Sequence, residues 1–84
     1  MLKWYEEKGK YLCFDDDENL LYIVDYDATE GWRWHDIFEG WGEYGYDTAE
    51  EAKARAEREY KDFPDIYTHE PWYTPEEIEK LLES

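Results

Sequence analysis

The stretch "YDTAEEAKARAEREY", Tyr46 to Tyr60, reads as a helix with a strong start signal whose inward side is mostly alanine. Thr48 and Glu51 form a T-x-x-E capping box, each side chain satisfying a free amide, and Asp47, Glu50 and Glu51 favour the positive end of the macrodipole. Ala49, Ala52, Ala56, Tyr60 and Phe63 recur at helical spacing, so a narrow face of small residues can approach a sheet crowded with Trp and Tyr. The remaining face, Glu50, Lys53, Arg55, Glu57, Arg58 and Lys61, carries mixed charge with an i,i+4 pair from Glu57 to Lys61 and reads as solvated. Pro64 ends the helix.

Upstream, the chain is strand-like. "YLCF" at 11–14 and "LLYIVDY" at 20–26 are β-branched or aromatic runs separated by "DDDEN", a hairpin-length loop, and should pair antiparallel. After the turn "DATEG", "WRWHDIF" at 32–38 sets Trp32 and Trp34 on one face and Arg33 and His35 on the other, with a bulge or bend expected at Asp36. "LKWYEE" adds a short edge strand through the Lys8-Gly9-Lys10 turn or extends the first strand. "EGWGEYGYD" interleaves Gly40, Gly42 and Gly45 with Trp41, Tyr44 and Tyr46, and reads as a flexible, aromatic-rich connection to the helix. Its letters match G-x-G-x-x-G, but no parallel βαβ unit surrounds it and its acidity is hostile to phosphate.

Downstream, "DIYTHEPWY" at 65–73 runs extended toward a second start signal, with Thr74 as cap, Pro75 at the first helical position and Glu77 closing the box. Ile78, Leu81 and Leu82 make an apolar stripe on a helix too short to stand alone, so it must dock on the domain or on a partner. The expected fold class is α+β: an antiparallel three- to four-stranded β-meander packed by one main helix, with a short C-terminal helix. Residues 1–84 form one small acidic domain, divided into a meander at 1–46, the main helix at 47–63, and an extended arm with the short helix at 64–84.

A mean hydropathy of -1.08 would suggest disorder, but aromatics make up 20% of the chain and supply large apolar faces, so a folded domain is expected. No apolar run approaches the ~18 residues of a membrane span. One cysteine, Cys13, cannot form an internal disulfide, and no basic and apolar leader pattern is present, so a reducing cytoplasm is the expected location. The 24 acids outweigh 9 Lys and Arg to leave a formal charge of -15, and they divide evenly, twelve in residues 1–46 and twelve in 47–84. Charge spread this way repels nucleic acid and anionic membranes and attracts basic surfaces over about a Debye length, or serves solubility alone.

Signals for catalysis and cofactors are thin. Asp15, Asp17 and Asn19 echo a calcium loop, but Leu20 stands where the turn glycine belongs and Tyr26 where the bidentate Glu belongs. Cys13 and His35 could act as a nucleophile pair only if the fold joined them, and with His69 they are too few for structural zinc. Carboxylate pairs abound, but an 84-residue body has little room for a substrate cleft. The expectation is a non-catalytic protein without cofactor or metal.

The aromatics Trp4, Tyr5, Trp32, Trp34, Trp41, Tyr44, Tyr46, Trp72 and Tyr73 cannot all be central in so small a core. Exposed Trp and Tyr anchor interfaces, and surrounding acids steer toward a basic partner. The candidate partner-binding residues are therefore Asp15, Asp16, Asp17 and Glu18 at a hairpin tip, Trp41, Glu43 and Tyr44 near the glycines, and Trp72 and Tyr73 in the arm. The strand order, the aromatic strand "WRWHDIF", the glycine-containing turn and the "T-x-E-E-A-K" helix together resemble the small acidic proteins of phages and mobile elements, among them anti-CRISPR and anti-restriction DNA mimics. The likeness covers roughly residues 11–62. It implies an inhibitor that occupies the basic nucleic-acid-binding surface of a host defence protein in the host cytoplasm, without touching nucleic acid or membrane itself. The alternative is a structural or adaptor module binding a protein, or a second copy as a homodimer, through an exposed aromatic patch.

Overall fold

A computed structural model describes residues 2–62 and 73–83. Five strands, β1 (Lys3–Glu7), β2 (Lys10–Phe14), β3 (Leu20–Asp27), β4 (Gly31–Asp36) and β5 (Trp41–Tyr46), pair antiparallel in the order β1-β2-β3-β4-β5. Two helices follow, α1 (Ala49–Asp62) and α2 (Pro75–Glu83). The class is α+β, with one strand more than the largest count expected. The additional strand is β5, which replaces the expected flexible connection. Its glycines are compatible with pairing because Gly42 lies so close to β4 that a Cβ there would meet the Trp34 carbonyl oxygen at 2.0 Å. A strand bearing only side chains could not have come that near.

Aspartates build three of the four hairpin loops. Asp15 Oδ1 accepts the amides of Asp17 and Asn19 at 2.9 Å, and Asp27 Oδ1 accepts those of Thr29 and Glu30 at 2.8 Å. Asp36 Oδ1 accepts the amides of Phe38 and Glu39 at 2.9 and 3.0 Å. Each side chain stands in for a backbone acceptor at the exit of a strand, which is the reason for Asp at these positions. The fourth loop, between β1 and β2, is the two-residue turn Lys8-Gly9 with φ of 52° and 80°, the left-handed pair that matches hairpin twist.

The pleat sorts side chains onto two faces. Tyr22, Val24 and Trp34 pack with Cys13, Phe38 and the inward stripe of α1, Ala49, Ala52 and Ala56. Leu12, Ile23 and Ile37 lie on the opposite face beneath Ile78, Leu81 and Leu82 of α2, so the short helix docks on its own domain. Lys10 Nζ reaches the Leu82 carbonyl at 3.3 Å, a cation at the helix C-terminus where the dipole favours one. Asp36 continues β4 in phase, opposite Tyr22, and the irregularities fall elsewhere: at Leu21 on β3, and at Tyr44-Gly45 opposite Arg33 on β5.

Both capping boxes form. Thr48 Oγ1 accepts the Glu51 amide while Glu51 Oε2 takes the Asp47 amide, each at 3.2 Å, and Thr74 and Glu77 exchange reciprocal bonds at 3.2 Å. The α1 surface differs from expectation at Lys53 and Arg55, which turn inward over aromatic rings. Lys53 Nζ lies 3.7 Å from the centre of the Tyr11 ring, and the Arg55 guanidinium 5.3 Å from that of Trp34. The ion pairs along α1 include Arg55–Glu59 and Arg58–Asp62 at i,i+4. Phe63, Pro64 and the extended arm to Trp72 lie outside the described residues.

Because Ala52 and Ala56 have no exposed surface, Ala52→Leu or Ala56→Leu should cost about 1–3 kcal/mol by forcing helix and sheet apart. Thr48→Ala, which removes only the cap, should cost about 1 kcal/mol. Urea melts of the three variants check the order, and a harmless leucine at either position would contradict the packing described.

Candidate functional site

The two faces settle the chemical pairings that the sequence leaves open. Cys13 packs on the α1 face, where burial first, with Glu57 and Asp15, pushes its thiol up to about 12. His35 lies on the other face, so the sheet separates the two and they form no nucleophile pair. Asp15 is committed to its own loop, with Oδ2 also accepting Asn19 Nδ2 at 3.1 Å. Among the described residues, no group of three or more His, Cys, Asp or Glu is placed to hold a metal ion, and no helix is long and apolar enough to cross a membrane.

Register brings together a polar cluster that the sequence reading did not assemble. Asp25 on β3 stands opposite Arg33 on β4, with His35 two residues along the same face. Arg33 grips the Asp25 carboxylate with both Nε and Nη2, at 3.0 and 2.8 Å, while Nη1 donates to Glu30 at 3.2 Å. His35 Nε2 lies 3.1 Å from Asp25 Oδ1. Burial by itself would raise the Asp25 carboxyl, but hydrogen bonds from His35 and Arg33 and their charge outweigh it and hold the group at about 2. The signal for this cluster was the opposite charge at Asp25 and Arg33 and the Asp27 turn that sets their register.

A second cluster lies under α1. Arg55 Nε is ion-paired with Glu43 and Nη1 donates to the buried Glu59, both at 3.1 Å. Beside it, Asp36 has no exposed surface and its Oδ2 accepts no hydrogen bond. Burial first, opposed by the Phe38 and Glu39 amides and aided by the charges of Glu39 and Glu59, raises Asp36 to about 6. Glu59 was also missed in sequence, although it lies three residues beyond Ala56 on the inward stripe.

The candidate binding residues do not form one patch. Trp41 and Glu43 point to the α1 face, where Trp41 meets the buried Trp34 edge-on at 5.2 Å and Glu43 is held by Arg55. Tyr44 lies on the opposite face, and a hollow of about 250 Å³ along the β4–β5 edge is lined by Tyr44, Tyr73, Glu30, Arg33 and His35 as well as by Trp34, Trp41 and Glu43. Trp72 lies outside the described residues. Asp16, Asp17 and Glu18 are exposed in the β2–β3 loop.

The topology brings further carboxylates to that loop's end of the sheet. In an antiparallel meander the β2–β3 loop and the β4–β5 turn share an end, about two strand spacings or ~10 Å apart. The turn contributes exposed Glu39, and the Tyr73 amide, bonded to the Ile37 carbonyl at 3.1 Å, holds the start of α2 there with Glu76 and Glu77. Lys3, whose strand neighbour is Phe14, is a basic residue at this end, and Lys80 of α2 lines a hollow with Tyr73 and Glu77. No family model, curated protein or solved structure matches this chain.

The two perturbed aspartates pull the stability profile in opposite directions. Asp25, depressed to about 2 from 3.8, contributes stability that is full above 3.8 and lost as pH falls toward 2. Asp36, raised from 3.8 to about 6, favours the folded state while protonated, so stability declines as pH rises through that interval. Asp36→Asn should therefore remove the decline and stabilise the protein near neutral pH. Chemical denaturation from pH 2 to pH 8 checks both arms; an unchanged slope in Asp36→Asn would contradict the assignment.

Proposed function

We propose that this is a non-catalytic acidic binding protein that occupies the basic nucleic-acid-binding surface of a host defence protein, as anti-CRISPR and DNA-mimic inhibitors of phages do, in the host cytoplasm. The observation that carries this reading is the convergence of acids from three separate segments, Asp16 to Glu18, Glu39, and Glu76 with Glu77, at one end of the sheet. Meanwhile Arg33, Lys53, Arg55 and Arg58 are drawn into pairs with acids elsewhere. The result is a group of exposed carboxylates whose field extends over about a Debye length, ~8 Å at physiological salt.

The adaptor reading has its own supporting feature. Tyr5, Leu12 and Phe14 line a hollow of about 490 Å³ at the β1 edge, with Tyr5 and Phe14 in edge-to-face contact at 5.7 Å. Against a single aromatic patch stands the dispersal of the exposed rings. Tyr5 and Tyr44 lie on opposite edge strands, and Tyr26 and Trp41 on the other face.

The readings separate by salt. Binding to a phosphate-reading groove should weaken steeply as salt rises and should be competed by a DNA duplex, whereas an apolar adaptor contact should be nearly indifferent to both. Surface-plasmon measurements against a panel of purified restriction enzymes and RNA-guided nucleases provide the test. Asp16→Asn alone should change affinity no more than about fivefold, because an exposed charge acts weakly by itself. Neutralising Asp16, Asp17 and Glu18 together, leaving the loop-building Asp15, should slow association and spare dissociation. Binding that survives high salt and excess duplex would remove the mimic reading.

A further inference from the structure

We infer that the hollow between Tyr44 and Tyr73 receives an arginine side chain of a protein partner. The inference rests on the reading of a basic partner but does not require that partner to bind nucleic acid. At about 250 Å³ the hollow is smaller than the ~300 Å³ at which sites for drug-sized molecules begin, so it fits one side chain. Gly42 contributes no side chain to it. The adjoining Tyr44 is 66% exposed on an edge strand, which leaves an aromatic ring open to an incoming group.

Charge selects the class of that group. Arg33 would by itself suggest an anion, but Nε, Nη1 and Nη2 are directed at Asp25 and Glu30, and Asp27 lies 3.8 Å from Nη1. Three carboxylates around one guanidinium leave the surroundings of the hollow net negative. An anion is repelled and a cation attracted. His35, Tyr44 and Tyr73 line the hollow, and the tyrosine hydroxyls are able to accept hydrogen bonds. Aromatic rings, several acceptors and net negative charge suit guanidinium better than ammonium, because the planar fork stacks on a ring while donating in its plane and is less strongly hydrated.

The test uses N-acetyl-arginine amide, titrated into the full chain by NMR, with N-acetyl-citrulline amide as the uncharged isostere. Saturable shifts centred on His35, Gly42 and Tyr44 with arginine, and none that saturate with citrulline, are expected. Tyr44→Ala should weaken binding about threefold to fivefold and Tyr44→Phe should retain most of it, since the ring face carries the cation contact. Exposure of Tyr44 keeps both variants folded. Shifts spread evenly over the acidic surface, or unchanged by Tyr44→Ala, would overturn the inference. That outcome is independent of the salt and duplex experiment, because a mimic can hold its target without an arginine in this hollow.

Discussion

Trp34 has no exposed surface, and most of the molecule follows from how that is achieved. A large ring in the middle of a five-stranded sheet can be covered only by a helix that approaches closely, and Ala52 and Ala56 allow that approach. Arg55 then closes the ring's remaining side. The same register that turns Trp34 inward turns Arg33 and His35 outward, because successive residues of a strand face opposite ways. A slip of β4 by one residue would put Arg33 and His35 against α1 and turn the indole to the opposite face. The packing of one face and the polar cluster of the other are thus a single constraint.

The parts legible in sequence are those written in local pattern. The alanine stripe, both capping boxes, the alternation in "WRWHDIF" and the β2–β3 hairpin depend on spacings of a few residues, and all are present. The fifth strand was misread because glycine ordinarily weakens a strand, and its reason here is the close approach of Gly42 to Trp34, a distance across strands that no local spacing records. Lys53 and Arg55 were read as solvated because their charges suggest water, yet their aliphatic stems and cationic ends lie over rings. The Asp25–Arg33–His35 cluster needs a register as well as an alternation. That register comes from the Asp27 loop, visible in "DATEG" only as a turn.

The acidity of the chain is not one property. Asp15, Asp27 and Asp36 are turn acceptors; Asp25, Glu43 and Glu59 are arginine partners; Glu51 and Glu77 close capping boxes. Removing these would alter folding before it altered recognition. Asp16, Asp17, Glu18, Glu39 and Glu76 are exposed at one end of the sheet. Net charge therefore overstates how many carboxylates are available to a partner, while understating how strongly those available ones are grouped.

Grouping matters because exposed charges and enclosed contacts govern different steps of binding. A cluster of solvated carboxylates raises the encounter rate and orients the partner, but each member is screened and holds little by itself. Retention requires a contact from which water is excluded, in which a ring and several acceptors act on one group. The hollow at Tyr44 and Tyr73 lies beside the acidic end, since Gly40 and Tyr73 border both. A basic surface drawn to Asp16–Glu18 and Glu39 would meet the hollow next, with an arginine as the side chain best able to enter it. In the proposed reading, steering and anchoring would fall to different residues at one end of the sheet and would be separable in rate.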